Sequence, residues 1–286
     1  MLPLFRKNYI HFDKDLIINK RLIQKMYLLD SMVTLRKTGD VHICKITTIE
    51  NKEICVKFLS DKDINYGSTD INFANTINRL NSCIKTKNIF LLSDYYSPYT
   101  HLIETEYANL GSLYTFLLTK PKKNLVWALL FETIKALRIL HNKGILHNDI
   151  KPSNILVTLE NNRHSIRLND FNIINDKKVC TPEYASPEII QKNIYSVQSD
   201  IWAIGVVIYE LFLRKFPFGS RIEKLSPNDI FKNVLENEPT DISSIPPPFD
   251  AIVRNCLIKD IARRPSTIND LIHMTKIKLN AYNRAL

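Results

Sequence analysis

The chain has no apolar run long enough to cross a bilayer. Its longest, IWAIGVVIYELFL at 201–213, falls short of the roughly 20 residues a spanning helix needs and contains Glu210, so it predicts a buried helix. The opening, MLPLFRKNYIHFDKD, lacks the apolar core of a secretory signal. Cysteine is sparse. Cys44, Cys55, Cys83, Cys180 and Cys256 lie far apart with no metal-ligand spacing, which suits buried thiols in a reducing, intracellular setting rather than a disulfide framework. Internal repeats and low-complexity tracts are absent. Acid is also short: 39 Lys and Arg face 29 Asp and Glu, a net charge of +10, and no glutamate occurs between Glu53 and Glu104. The basic excess suits an anionic partner. Its most lopsided part, from Arg254 to Arg284, reads as a solvated helical face, and direct nucleic-acid binding is not expected because charge alone speaks for it.

What is present divides into two characters. Residues 12–30 space Leu16, Ile17, Leu22, Ile23, Met26 and Tyr27 as in a helix, predicting a helical extension over 1–30. A β-rich lobe over 31–107 follows. Within it KEICVKFL (52–59) alternates, placing Cys55 and Lys57 on one face and Ile54, Val56 and Phe58 on the other. FLLSDYY (90–96) and HLIETEYA (101–108) read as two more strands. From 108 to 286 helices dominate, among them an amphipathic one over 124–142 stopped by Gly144. Short strands return at 155–158 and 166–169. The predicted class is α+β and bilobal, with a small β-rich first lobe and a larger, mainly helical second lobe.

Four motifs occur in order: HNDIKPSN (147–154), NDFN (169–172), YASPE (184–188) and SDIWAIG (199–205). Together they resemble the catalytic loop, metal loop, end of the activation segment and following helix start of a protein kinase. Phosphoryl transfer needs positioning and charge neutralisation more than covalent chemistry, and these residue types supply it. The resemblance implies that Asp149 orients or accepts the substrate hydroxyl's proton and that Lys151 reaches the γ-phosphate. Asn154 and Asp170 would give oxygen ligands to Mg²⁺ (or Mn²⁺), and Lys57 would hold the α- and β-phosphates of ATP. Ile43, Cys55 and Leu156 would sandwich the adenine, with Glu106 and Ala108 offering hinge hydrogen bonds behind a small Thr105. Asp200 would hydrogen-bond the catalytic-loop backbone, and Glu188 would pair with a buried Arg264. His147, Phe171 and Thr181 complete the implied framework. Lys151 and Thr181 favour serine/threonine over tyrosine substrates.

The pattern also departs from such kinases. Asn148 stands where an arginine commonly receives an activation-segment phosphate, and asparagine cannot make that bidentate charged pair. The segment between NDFN and SPE, residues 173–185, is short, and Thr181 and Tyr184 hold its only hydroxyls. Activity without activation-loop phosphorylation is the expectation. Asn172 replaces a glycine with a residue that tolerates positive φ. The phosphate-covering loop LRKTGDVHI (35–43) keeps only Gly39, which predicts weak nucleotide affinity. With no glutamate available to pair with Lys57, register places Thr76 or a neighbour at that position with Leu80 below. The helix carrying them is expected to be irregular and held by packing, against a second copy in a homodimer. A pseudokinase scaffold that binds nucleotide weakly or not at all is the alternative.

HNDIK, the short segment, EYASPE and DIWAIGVVIYEL are together most similar to the protein kinase 1 family of baculoviruses. That resemblance implies the host-cell nucleus, association with nucleocapsids, and an arginine-rich protamine-like protein as substrate. The residues offer such a substrate only a local acidic groove, from Glu104, Glu160, Asp176 or Glu183.

Overall fold

The computed structural model describes residues 23–24, 27–38, 41–60, 71–92, 99–171 and 180–278. Gly39, Asn172, Asp176 and most of the expected leading helix lie outside them. The expected end of that helix is corrected, because Leu29 already opens a strand.

Contacts divide the chain into two compact units. The first holds the described residues up to 60 together with Thr86–Tyr107; the second holds 71–85 and everything from Ala108 onward. The sequence reading had kept 71–85 with the β-rich lobe. These residues join the second unit because Cys83 forms a parallel bridge to Leu168 and Phe73 meets Phe171 edge-on.

The first unit is an antiparallel sheet of β1 (Leu29–Lys37), β2 (Val41–Thr48), β3 (Glu53–Leu59), β4 (Thr86–Leu91) and β5 (His101–Glu106), in the order β1-β2-β3-β5-β4. Period-2 alternation fixes its two faces. Cys44, Ile46, Ile54, Val56, Phe58 and Leu102 bury on one face with Ile23, Met32 and Tyr99. On the other, Ile43 lies opposite Lys57 and Lys45 opposite Cys55 across β2–β3, all partly exposed. The strand expected at 90–96 instead starts at Thr86. Its apolar run marks only the end of β4, and pairing with β5, from Thr86↔Thr105 to Leu91↔His101, sets the rest.

The second unit contains a hairpin, β6 (Ile155–Glu160) with β7 (Arg163–Leu168), and eight helices among the described residues. They are α1 (Ile71–Asn78), α2 (Leu113–Leu118), α3 (Lys123–His141), α4 (Pro187–Lys192), α5 (Val197–Leu213), α6 (Pro227–Glu236), α7 (Phe249–Cys256) and α8 (Ile268–Thr275). The chain thus has the expected α+β make-up of a β-rich unit and a helix-rich one. α1 was expected to be irregular; its eight described residues are a regular helix.

α5 is the axis of the helix-rich unit. Ser196 caps it by accepting from the Ser199 N–H, in a capping box that satisfies two donors at once. Ile201, Trp202, Ile204, Val206, Val207 and Ile208 are wholly buried, as an all-round apolar helix must be. Trp202 stacks on Phe218 at 5.5 Å and carries the Arg264 guanidinium over its ring at 5.0 Å. Among the described residues no helix is long and apolar enough to cross a membrane. The buried thiols are chemically quiet: burial pushes Cys44 up to about 12 and Cys83 up to about 11.

Gly205 lets α5 lie directly on α7, since a Cβ there would come within 2.4 Å of the Cys256 Cβ and 3.2 Å of Leu257. Gly205→Ala is therefore expected to destabilise the protein by about 1–3 kcal/mol through overpacking, read as a lower urea midpoint with an unchanged slope.

Candidate functional site

The loop 147–154 is held from below by one carboxylate. Asp200, in the first turn of α5, is 1% exposed. Its Oδ2 accepts the His147 N–H at 2.9 Å and its Oδ1 the Asn148 N–H at 2.9 Å. A third donor is His141 Nε2, also 2.9 Å from Oδ2. The sequence reading missed His141; its place in the last turn of α3, six residues before His147, was the available signal. Asn148 sits at φ 64, in the left-handed region that asparagine tolerates, so this residue suits the backbone as well as lacking arginine's charge.

His147 is fully buried and its ring lies 4.6 Å from that of Phe171. Its Nδ1 accepts the Asp149 N–H at 3.4 Å. Burial lowers its affinity for a proton, outweighing the nearby Asp200, Asp149 and Asp170, so the ring is a neutral packing element.

Above this support the Asp149 carboxylate is gripped on both oxygens. Thr181 Oγ1 donates to Oδ1 at 2.9 Å. Lys151 Nζ lies 2.6 Å from Oδ2 and donates to the Thr181 hydroxyl at 2.9 Å, closing a three-residue ring. Asn154 Nδ2 reaches Oδ2 at 2.8 Å and the Asp149 carbonyl at 2.9 Å. Donating its amide nitrogen inward leaves the Asn154 amide oxygen as the end that can meet a cation. The Asn169 N–H donates to the Asn154 carbonyl at 3.0 Å, which brings the following residue, Asp170 (φ 56), into the same neighbourhood.

Among the described residues no three His, Cys, Asp or Glu side chains gather into a metal cage. One carboxylate and one amide oxygen nevertheless fit Mg²⁺, which uses one or two protein ligands and completes its shell with phosphates and water.

The predicted nucleotide residues divide between the units. Ile43, Cys55 and Lys57 share the sheet face opposite the first unit's core, and the Glu106 carbonyl accepts the Thr105 hydroxyl at 3.1 Å. Ala108 and Leu156 belong to the second unit, where the Leu110 N–H donates to the Val157 carbonyl and the Val157 N–H to that of Gly111.

Glu188 and Arg264 form a buried pair, at 2.7 and 3.0 Å, joined by the Ser199 hydroxyl at 3.1 Å. Burial alone would raise the Glu188 carboxyl, but the hydrogen bonds and charge of Arg264 prevail and hold it below the ordinary range. The expected acidic groove loses two of its four candidate acids, while Glu160 is exposed and Asp176 lies outside the described residues. Glu104 is buried and bonded to Tyr27 and Asn88, while Glu183 is 6% exposed and clasped by Arg221 through Nε (2.8 Å), Nη2 (3.0 Å) and the backbone N–H (3.1 Å).

A protein kinase domain family model matches residues 37–276. The chain belongs to the protein kinase family. It is 35% identical over 158 residues to an Aurora kinase of Dictyostelium discoideum, covering 53% of this chain and 39% of that protein. It is 35% identical over 181 residues to the serine/threonine-protein kinase Nek9 of Mus musculus, covering 58% and 18%. With the mitogen-activated protein kinase kinase 1 of Arabidopsis thaliana the identity is 30% over 204 residues, covering 64% and 57%. The chain thus spans less than two thirds of each of these relatives.

The lowered Glu188 carboxyl makes an acid-side prediction. Its stabilising contribution is full above the ordinary value of 4.5 and is lost as pH falls through the lower native value. Wild-type urea midpoints should drop below about that pH, and Glu188→Gln should remove this part of the drop. Arg264→Met, which leaves a buried carboxylate alone, is expected to cost about 3–5 kcal/mol at neutral pH.

Proposed function

We propose that this protein kinase transfers the γ-phosphoryl group of ATP to serine or threonine hydroxyls. The observation that carries the proposal is the ring at Asp149. A carboxylate already held on both oxygens by Thr181, Lys151 and Asn154 is fixed in direction before any substrate arrives. The substrate hydroxyl oxygen forms the new bond to the γ-phosphorus, the bond to the β-phosphate oxygen breaks, and the hydroxyl proton passes to Asp149. Lys151, already beside Asp149, offsets the negative charge that develops on the phosphoryl oxygens. Asn154 and Asp170 would hold Mg²⁺, which supplies charge neutralisation at the phosphates when bound. Lys57, on the exposed sheet face, would hold the α- and β-phosphates.

The same proposal includes activity without activation-segment phosphorylation, supported by Asn148 and by the shortness of 173–185. Similarity to the baculovirus kinases supports an arginine-rich, DNA-condensing viral substrate and a host-nuclear or nucleocapsid setting. The homodimer rests on sequence alone; Ala74, Ile77 and Leu80 of the helix region expected to mediate it are buried within their own chain.

Purified protein with γ-labelled ATP, Mg²⁺ or Mn²⁺ and an arginine-rich peptide should give phosphoserine or phosphothreonine. Asp149→Asn should lower kcat about 10²–10⁴-fold, and Asp170→Ala should abolish the metal-dependent rate. Equal label from wild type and Asp170→Ala, or none with any metal, would overturn the proposal in favour of a binding scaffold. Phosphatase pretreatment should leave the wild-type rate unchanged.

A further inference from the structure

In related kinases a glutamate on the upper helix pairs with the strand lysine; here no glutamate lies between Glu53 and Glu104. α1 carries no acid in its first turn and no base in its last. Its carbonyls at the C-terminal end point onward without intrahelical partners, at the negative end of the helix dipole. Lys85, seven residues past the helix, returns to that end. Its Nζ donates to the Asn78 carbonyl at 2.5 Å and to the Leu80 carbonyl at 2.8 Å. A cation held on the last helical carbonyl and on a carbonyl of the turn that follows is favoured by both hydrogen bonding and charge.

The segment that carries Lys85 is itself tied to the strand that leads to Asp170. The Leu168 N–H donates to the Ser82 carbonyl at 2.8 Å and the Ile84 N–H to the Leu168 carbonyl at 3.0 Å, two residues before Asp170. From the opposite side, Phe73 of α1 meets Phe171 at 5.8 Å and 71°. Lys85, α1, Phe171 and β7 are therefore linked through contacts that reach the chain on either side of Asp170, all within the second unit.

We infer that Lys85 is a positioning residue: by capping α1 from its C-terminal end it fixes the helix that packs on Phe171, and so the placement of the Asp170 carboxylate. The inference rests on the kinase reading. A cap that served stability alone would leave the metal requirement untouched, and this gives the test.

The full chain is compared with Lys85→Met, Lys85→Gln and Lys85→Arg by hydrogen exchange over residues 71–84 and by steady-state kinetics at graded Mg²⁺. In Lys85→Met, exchange in this segment should rise about tenfold, as expected when a charged hydrogen-bonded cap is lost. The Mg²⁺ concentration for half-maximal rate should rise several-fold, and kcat at saturating ATP should fall about tenfold. Lys85→Arg should keep both near wild type, and Lys85→Gln, with a neutral donor, should lie between them and serve if Lys85→Met does not fold. An active wild type whose Lys85→Met variant exchanges like the parent, or exchanges faster with an unmoved Mg²⁺ requirement, overturns the inference. An inactive wild type whose α1 still loosens in Lys85→Met would instead overturn the kinase reading while leaving the cap in place.

Discussion

A carboxylate at 1% exposure that accepts two backbone N–H groups and a histidine N–H sets the geometry of everything above it. Each hydrogen bond to such a charged acceptor is worth about 1.5–3 kcal/mol, and removal of the acceptor would strand all three donors in a dry interior. Asp200 stands in the first turn of α5, where the helix dipole favours a negative charge. α5 is in turn locked by its buried apolar faces and by the Trp202–Arg264–Glu188 stack. The position of the 147–154 loop is thus inherited from the core of the helix-rich unit. Asn148 holds its left-handed backbone position with its N–H on Asp200.

Asp149 then illustrates how a carboxylate is aimed by its partners. It has a cation, an amide and a hydroxyl as partners, and Thr181 receives from Lys151 while donating to Asp149. Thr181 lies 32 residues along the chain from Asp149, so its placement and the direction of the carboxylate depend on each other. A threonine serves where a serine would be less constrained, because its branched Cβ restricts χ1.

The α+β division was legible because both periodicities were strong: alternation in 52–59 and an apolar run too long and too uniform for a strand at 201–213. The loop residues were legible because their motifs, in order, resemble those of protein kinases. What escaped reading was set by partners distant in sequence. β4 took its start from pairing with β5 rather than from its own apolar run. The grouping of 71–85 with the helical unit depended on a two-bond bridge to Leu168 that no local pattern encodes. His141 looked like an ordinary last-turn residue of an amphipathic helix until its partner, 59 residues away, was placed. Glu183 was lost to the expected acidic groove for the same reason, since an exposed-looking glutamate in sequence says nothing of an arginine that will close on it.

That closure limits which acids could meet an arginine-rich substrate of the kind proposed above. Glu183 is already bidentate with Arg221, and its carboxyl is held low against the cost of burial by that guanidinium. A substrate arginine would have to displace an intramolecular one whose backbone N–H also binds the same oxygen, and an intramolecular partner holds the advantage of effective concentration. Glu210 is no more available, because it accepts the Tyr184 hydroxyl at 2.6 Å and burial raises its carboxyl, favouring the neutral form. Glu104 is spent inside the sheet. Among the described residues these three acids therefore serve the fold, and a chain carrying +10 has little cause to attract a polycation through them.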